Sequence, residues 1–406
     1  MTDLGRAGAT DVAALLGSRD PVSVVYCDAS GDQENPGRFA ELRARGIAAQ
    51  LEDRGAPRTD VQTVEELLST TTGAPSPVSR FLVVRAGEVL VDELLAGPQV
   101  VSERVGFGPV ADVTPLLRHR PADVLFVVAE IRRDVADVSL RRTAGIGAVS
   151  EQHLDGREDA IHKVPSGGWA HARYQRHSEE VWRQNEAEVA ALVERLVAEH
   201  APAFVVAAGD VRAVQKLEGE LREPASSLTT TVVANVSPEG SSTEQLEEEI
   251  DRLIAEHVDR ARRDALDQLR AGGPGSRTSA TGLGAVVAAL QQSQVDVLIL
   301  GGPAAEGSTV LALDAAPWVA TAPEEAFDAT VLGPVPADVG LARAAVLTDA
   351  RVVFLTDDDR PRDDDRLRAE SYADHGADPE VEAEELAAVQ TPAAVLRWAT
   401  GPDTPA

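Results

Sequence analysis

The spacing of hydrophobic residues predicts alternating helices and strands over the first region, residues 1–118. Helical spacing, with apolar residues three and four positions apart, is found at residues 12–16, 39–54 and 63–69. Strand-like runs are found at residues 22–26, 79–84 and 88–93. The last two strands surround Ala86-Gly87, which is typical of a hairpin turn. These elements predict an amino-terminal α/β domain.

The same alternation continues through residues 119–271. Strand patterns occur at residues 124–131, 137–141, 204–208 and 229–236. Helical patterns occur at residues 170–200, 211–221 and 243–269. The first of these helices has an apolar stripe that consists of Val181, Val189, Leu192, Val193, Leu196 and Val197. The segment before it, up to Gly168, is too polar for a core, so we predict a middle domain with a polar loop.

A Gly- and Ser-rich stretch after Ala271 predicts a linker, residues 272–282, followed by a carboxyl-terminal α/β/α domain, residues 283–406. Helical patterns in that domain occur at residues 283–292, 339–350 and 381–399, and strand patterns at residues 295–300 and 351–355. Asp338 is placed to cap the second helix, and Pro392 is expected to break the last one. The predicted fold class is α/β (mixed α+β), with three domains that each pack a small sheet with helices.

Composition restricts the partners of the chain. Its 406 residues have a formal net charge of −29, which argues against nucleic-acid binding, DNA included, over the whole surface. The single cysteine, Cys27, excludes an intrachain disulfide and fits a reducing cytoplasm. No secretory signal follows Met1, and the apolar runs are far shorter than the roughly 18 residues of a membrane span. We therefore expect a soluble, cytoplasmic protein.

One segment departs from this acidic composition. Between residues 162 and 183, basic residues alternate with Trp169, Tyr174 and Trp182, although aromatic residues make up only 3% of the chain. Gly167 and Gly168 precede the helix of this segment and allow the backbone to enter a confined space. An isolated Gly-Gly pair is most often a simple turn. With basic and aromatic neighbours it favours an RNA-binding loop, since cations contact phosphates and rings stack on bases.

The other motifs predict no cofactor and no metal. Gly301-Gly302 follows a strand, but the spacing fits neither the Rossmann nor the P-loop pattern, so a turn is expected. The Asp-rich loop, residues 357–365, lacks the glycine of a calcium loop and is expected to be solvated. Cys27 is expected to be a buried structural thiol. The histidines lack paired ligand spacing and are expected at the surface or on RNA, namely His153, His162, His171 and His177.

The segment from His162 to Arg176, which reads HKVPSGGWAHARYQR, resembles the Gly-Gly-Gln loop of the archaeo-eukaryotic release factors. Family members place Gly-Gly-Gln after a Lys- and His-rich run and continue with Ser-Ala-x-Arg-Phe-x-Arg into a long helix. Gly167 and Gly168 match the family glycines. The Arg-Phe-x-Arg part is similar to Arg173, Tyr174 and Arg176. With the strands near residue 124 and the helix and strand near residue 290, the resemblance covers residues 120–355.

The resemblance implies a bacterial, actinobacterial-type member with a three-domain architecture, similar to Pelota and to the hibernation factor Balon. Such a protein occupies the A site of idle or stalled 70S ribosomes under stress, in contact with 23S and 16S rRNA and with elongation factor Tu as a partner. The residues expected at the RNA are His162, Lys163, Gly167, Gly168, Trp169, His171, Arg173, Tyr174 and Arg176.

The family glutamine, which helps to position water at peptidyl-tRNA, is replaced by Trp169. An indole has one N–H donor and no acceptor, so it cannot orient an attacking water in the same way. We therefore expect no catalytic residue. Two alternatives stay open. A peptidyl-tRNA hydrolase similar to the Vms-type members would use Gln175, with His171 as a proton shuttle. The other alternative is a stress-related interaction protein that has lost ribosome binding.

Overall fold

The computed structural model describes residues 9–119, 124–131, 135–143, 148–155, 187–209, 211–233, 241–272, 277–301, 307–355 and 391–399. The chain divides into two compact units. One comprises residues 1–121 and 261–406, and the other comprises residues 122–260. The mixed α/β fold class is confirmed, while the division into three domains stays a prediction.

The amino-terminal part of the first unit is an antiparallel sheet in the order β3-β2-β1-β4. Its strands are β1 Val22–Asp28, β2 Val78–Arg85, β3 Glu88–Ala96 and β4 Arg104–Gly108. Its helices are α1 Ala9–Leu16, α2 Pro36–Asp53, α3 Arg58–Ser69 and α4 Thr114–His119. Helices α2 and α3 bury Ile47 and Val64 against Val25 on one face, whereas α1 buries Leu16 against the opposite face.

The hairpin predicted at Ala86-Gly87 is confirmed, because β2 ends at Arg85 and β3 begins at Glu88. Both turn residues have positive φ, 51° for Ala86 and 82° for Gly87, as a two-residue hairpin with a right-handed twist requires. The buried carboxylate of Asp60 on α3 accepts a hydrogen bond from the Gly87 N–H at 2.8 Å and another from the Ser23 hydroxyl at 2.8 Å. Helix α3 is thereby joined to both the turn and β1.

The second unit is a five-stranded sheet in the order β7-β6-β5-β8-β9. Its strands are β5 Leu125–Ile131, β6 Val135–Arg142, β7 Ala148–Asp155, β8 Phe204–Gly209 and β9 Thr229–Val233. Its helices are α5 (residues 187–200), α6 Val211–Glu220, α7 Ala225–Leu228 and α8 Ser241–Gly272, which continues into the first unit. β5, β6 and β7 form an antiparallel meander, and β8 and β9 lie parallel to β5.

Helices cover both faces of this sheet. Helix α5 buries the described part of the predicted stripe, including Val189, Val193 and Leu196, against β5 and β8 on one face, whereas Val181 lies outside the described residues. Helix α8 buries Leu246 and Ile250 on the other face, where the rings of Phe126 and Phe204 are stacked with centroids 5.1 Å apart. The helical pattern predicted for residues 170–200 is confirmed for residues 187–200, and its earlier part lies outside the described residues.

The carboxyl-terminal part of the first unit contains two sheets, in the orders β10-β16-β11-β15 and β13-β12-β14. The strands are β10 Ser279–Thr281, β11 Val295–Leu300, β12 Thr309–Leu313, β13 Val319–Ala320, β14 Val331–Pro336, β15 Arg351–Phe354 and β16 Ala393–Leu396. The helices are α9 Leu283–Gln291, the 3-10 helix Pro323–Ala326 and α10 Ala337–Leu347. The last residues of α8, Ala265 and Leu269, pack on Val297 and Ile299 of β11.

Three predictions for this part are wrong. Residues 393–396 form β16, not the end of a helix, because this short apolar run pairs with both β10 and β11. Part of the predicted linker, residues 279–281, is β10. Asp338 lies inside the first turn of α10, and the residue before that helix is Pro336. The Asp-rich loop, residues 357–365, lies outside the described residues.

Candidate functional site

The predicted site lies between the end of β7 and the first described residue of α5, Ala187, outside the described residues. This applies to the whole set proposed for RNA contact or catalysis, namely His162, Lys163, Gly167, Gly168, Trp169, His171, Arg173, Tyr174, Gln175 and Arg176. The elements on either side of the segment are described, and they define the place from which it leaves the sheet and to which it returns.

Both ends of the segment lie at one edge of the middle sheet, which we call the loop edge. Asp155, the last residue of β7, pairs with Val135 at the start of β6. Ala136 pairs with Ile131 at the end of β5, and Ile131 pairs with Gly209 at the end of β8. Helix α5 is described from Ala187 and leads into β8, which begins at Phe204, so Ala187 lies towards the edge where β8 ends. The loop edge therefore contains the ends of β5, β7 and β8 and the first described residues of α5.

Side-chain contacts hold β7 to its neighbours just before the segment begins. His153 Nδ1 lies 2.5 Å from Asp137 Oδ1 on β6, and the His153 side chain is half exposed. Arg195 on α5 donates a hydrogen bond to Gln152 Oε1 at 3.0 Å. Leu154 packs against the core on the α5 face of the sheet. Strand and helix are thus joined to one scaffold before and after the predicted loop.

Close backbone packing forms the loop edge at Gly209. A Cβ atom at this position would lie 2.4 Å from the carbonyl oxygen of Ile131, so the two strands approach too closely for any other residue. Helix α6 begins two residues later and buries Ala213, Val214 and Leu217. The end of β8 and the start of α6 are therefore fixed to the same core as α5.

Arg141 belongs to a second group of basic residues, Arg132, Arg133, Arg141 and Arg142, and it is not open for phosphate binding. The Arg141 guanidinium contacts Glu130 at 3.4 Å and Glu247 at 3.1 Å. Its charge is consequently compensated by two carboxylates, one on β5 and one on α8. Arg132 and Arg133 lie outside the described residues.

Two of the weaker motifs fall within the described residues, at Cys27 and at Gly301. Cys27 is fully buried, and burial raises the pKa of its thiol to about 12, so the thiolate needed for reactivity is absent near neutral pH. Gly301 follows β11, and a Cβ there would lie 2.7 Å from Leu355 Cβ, so this glycine serves packing. Within the described ranges, no group of three or more His, Cys, Asp and Glu side chains can hold a metal ion.

Strand β7, which leads into the predicted loop, is an element that the sequence pattern did not reveal. It reads AVSEQHLD. Apart from Ala148, its clearly apolar residues are Val149 and Leu154, and Val149 is exposed. The indication in the sequence is weak, because of these two residues Leu154 packs against the core and Val149 does not. Without β7, the start of the predicted loop cannot be placed at the sheet edge.

A search for membrane spans among the described helices finds none with the length and hydrophobicity needed to cross a bilayer.

The middle unit is a sheet with helices on both faces, in which a long segment leaves and re-enters at one edge. Residues 125–273 match the model of the bacterial archaeo-eukaryotic release factor family 2. This match confirms, over residues 125–273, the resemblance to the bacterial archaeo-eukaryotic release factors seen in the sequence. The match begins at the first residue of β5 and includes the whole Gly167-Gly168 segment.

Similar proteins come from mycobacteria and archaea. The chain is 29% identical to Rv2629 of Mycobacterium tuberculosis over 293 residues, which cover 71% of this chain and 76% of the relative. Archaeoglobus fulgidus Pelota is 15% identical over 80% of both chains, with a TM-score of 0.33. Archaeal Pelota, in a model of its ribosome-bound form with ABCE1, is 15% identical over 97% of this chain and 94% of that chain, with a TM-score of 0.37.

Proposed function

We propose that this protein is a ribosome-associated translation factor that occupies the A site of idle or stalled bacterial ribosomes. The observation that carries the proposal is the family match over residues 125–273, within which Trp169 stands where release factors have the catalytic glutamine. A factor that retains the loop glycines but lacks the water-positioning amide is suited to occupy the site without peptide release.

The loop residues have distinct roles in this proposal. Lys163, Arg173 and Arg176 contact rRNA phosphates, since cations at the backbone fix orientation without reading sequence. Gly167 and Gly168 give the tip the narrow profile needed at the peptidyl-transferase centre. Trp169 stacks on a base, an interaction that aromatic side chains make with any nucleotide. The joint anchoring of β7 and α5 at the loop edge supports such a loop, because a rigid base reduces the ordering cost of binding.

The acidic charge of the chain is compatible with local RNA contact. A net charge of −29 repels phosphate in general, so binding depends on the basic segment between residues 162 and 183. We place the amino-terminal domain towards the decoding centre and the carboxyl-terminal domain towards elongation factor Tu, in the cytoplasm. Both placements extend the family resemblance to this chain.

Co-sedimentation with purified 70S ribosomes tests ribosome association. We expect the wild-type chain to pellet with vacant ribosomes and Arg173→Glu to pellet at least about tenfold less, since a phosphate contact becomes a repulsion. Arg45→Glu is the matched control, because Arg45 is an exposed arginine on α2 of the other unit. Failure of the wild-type chain to pellet contradicts ribosome binding. Equal pelleting of Arg173→Glu removes the basic segment from the proposal.

A second candidate function, peptidyl-tRNA hydrolysis, is favoured by Gln175 and His171, which follow the Gly-Gly pair in the same segment. A carboxamide can position water, and an imidazole can transfer its proton. Release of peptide from a purified stalled peptidyl-tRNA complex distinguishes the two candidates. We expect no release by the wild-type chain, whereas release that is abolished by Gln175→Ala establishes hydrolysis.

A further inference from the structure

Phe327 lies in a turn where glycine is the usual residue. The turn spans residues 326–329, and the Ala329 N–H donates to the Ala326 carbonyl at 3.0 Å. Phe327 has φ 51° and ψ −119°. These values are close to the first central position of a type II′ turn, about +60° and −120°, which strongly favours glycine. A large aromatic residue is strained at this position, so backbone stability does not explain its presence.

The turn is held rigidly by its neighbours. Ala326 is buried with Leu313 and Ala320, which fixes the residue before Phe327 in the core. Asp314 accepts a hydrogen bond from the Thr330 N–H at 2.8 Å, and its own N–H donates to the Thr330 carbonyl at 3.0 Å. The Thr321 N–H donates to the Glu325 carboxylate at 2.7 Å. The segment is therefore fixed on both sides of the turn.

This geometry directs the Phe327 ring away from the core. The residue is 78% exposed, more than any other large hydrophobic residue among those described. Val331, four residues later at the start of β14, is also exposed. Aromatic residues make up only 3% of the chain, so an exposed aromatic ring on a strained backbone is unusual for this composition. Rigid aromatic side chains that fill a pocket are typical centres of protein–protein interfaces.

We propose that Phe327, with Glu324, Asp328 and Val331, forms a docking knob for a protein partner that has an apolar pocket bordered by Lys and Arg. The ring would fill the pocket. The carboxylates of Glu324 and Asp328, exposed residues within three positions of Phe327 in the chain, would pair with the basic border. This proposal does not depend on the proposed ribosomal function.

The charges around the knob select this partner over other surfaces. Glu324 and Asp328 repel RNA phosphates and anionic lipid headgroups. A second copy of this chain has the same acidic knob and the same net charge of −29, so self-association through this surface is repulsive. The exposed guanidinium of Arg19 contacts the buried Asp314 carboxylate at 3.2 Å, so its charge is already compensated. With RNA, anionic lipid and a second copy of the chain disfavoured, a basic protein surface is the one that complements the charge of the knob.

Photo-crosslinking identifies the contacted molecule. The photoreactive residue p-benzoylphenylalanine is placed at position 327 of the full chain in bacterial cells, and at position 149 as a control, because Val149 is an exposed apolar residue of the other unit. We expect position 327 to give a protein adduct in a segment with Lys or Arg. Adducts with RNA, with lipid or with a second copy of the chain overturn the proposal, as does a yield no higher than at position 149.

The partner protein identified by crosslinking is then purified and titrated with this chain, which measures the contribution of the knob to binding affinity. We expect Phe327→Ser and the double variant Glu324→Lys/Asp328→Lys each to raise the Kd at least about tenfold, in the range of an interface hot spot. Val149→Ser should leave the Kd unchanged. An unchanged Kd for either knob variant overturns the proposal.

Phe327→Gly separates binding from folding. Glycine suits the positive φ, so we expect the melting temperature to stay equal or rise while the Kd increases as in Phe327→Ser. A fall in the melting temperature of Phe327→Gly assigns the ring a structural role and overturns the proposal.

Discussion

Arg343 is the largest of the fully buried side chains described, and it lies where α10 meets α1 and the small sheet. Its guanidinium donates to the carbonyls of Leu16 at 3.1 Å, Leu313 at 2.9 Å and Trp318 at 3.3 Å. The Leu16 carbonyl belongs to the last turn of α1, where helix carbonyls lack intrahelical donors. Burial lowers the pKa of Arg343 to about 10, with Asp314 acting in the opposite direction, so the side chain stays charged at neutral pH.

Replacement of Arg343 by Met keeps the length and apolar volume of the side chain but removes its donors. The carbonyls of Leu16, Leu313 and Trp318 then lose this buried partner, and one unsatisfied buried acceptor alone costs roughly 1–3 kcal/mol. We expect the free energy of unfolding to fall by at least that much in urea denaturation. Arg351→Met, at an exposed arginine of the same unit, is the control and should change stability by less than about 0.5 kcal/mol. Equal effects of the two substitutions would contradict the structural role of Arg343.

Cys27 provides a second test at the residue scale. Its thiol is fully buried, and desolvation raises its pKa to about 12. Only the thiolate reacts with iodoacetamide. We therefore expect the folded chain to resist alkylation at pH 8 and the chain unfolded in guanidinium chloride to react completely, as measured by mass spectrometry. Rapid alkylation under native conditions would show that this side of the amino-terminal sheet opens readily.

At the scale of elements, the close approach of β5 and β8 depends on Gly209. An added Cβ would lie 2.4 Å from the Ile131 carbonyl oxygen, and a backbone atom cannot move aside as a side chain can. We expect Gly209→Ala to destabilise the middle unit by about 1–3 kcal/mol, the usual cost of overpacking. In Gly219→Ala, the control on α6, the new Cβ meets nothing within 4 Å, and the helix should become slightly more stable. Hydrogen exchange of the β5 and β8 amides measures both effects, and equal protection in the two variants would contradict the argument.

The elements that the sequence predicts best are those whose apolar pattern coincides with a single buried face. Helix α5 is an example, because Val189, Val193 and Leu196 repeat at helical spacing and all reach the same core. The strand at residues 393–396 was missed because its residues, Ala-Ala-Val-Leu, suit a helix equally well, and only pairing with two distant strands decides the outcome. Long-range pairing of this kind leaves no local periodicity in the sequence.

The candidate site likewise combines local features, which the sequence reveals, with features that depend on long-range strand pairing. The Gly167-Gly168 pair and its basic neighbours are visible in the sequence because they are local, and the family match includes them. The loop edge was not predictable, because it depends on the register of β7 against β6 and of β5 against β8. The docking surface proposed at Phe327 is not predictable either, since the backbone conformation and exposure of this residue are defined only by the fold.

At the scale of the whole molecule, the proposed ribosomal contact requires an acidic chain to bind RNA through a small basic segment, against the repulsion from its own negative charge. The net charge is −29, and the proposed contact depends on a few cations between residues 162 and 183. Each phosphate contact releases condensed counterions, so affinity falls as salt rises. The slope of log affinity against log salt concentration therefore counts the cations engaged at the ribosome.

We expect the affinity of the wild-type chain for 70S ribosomes to fall steeply with increasing potassium chloride, as measured by co-sedimentation. Arg173→Glu should weaken binding at low salt and reduce the slope by about one, because one phosphate contact is lost. Arg45→Glu makes the same change of charge outside the segment and should leave the slope unchanged. A slope that Arg173→Glu does not alter would show that the chain reaches the ribosome through other groups, such as acidic residues on basic ribosomal proteins. In that case the Gly167-Gly168 segment would have to act after docking, not during it.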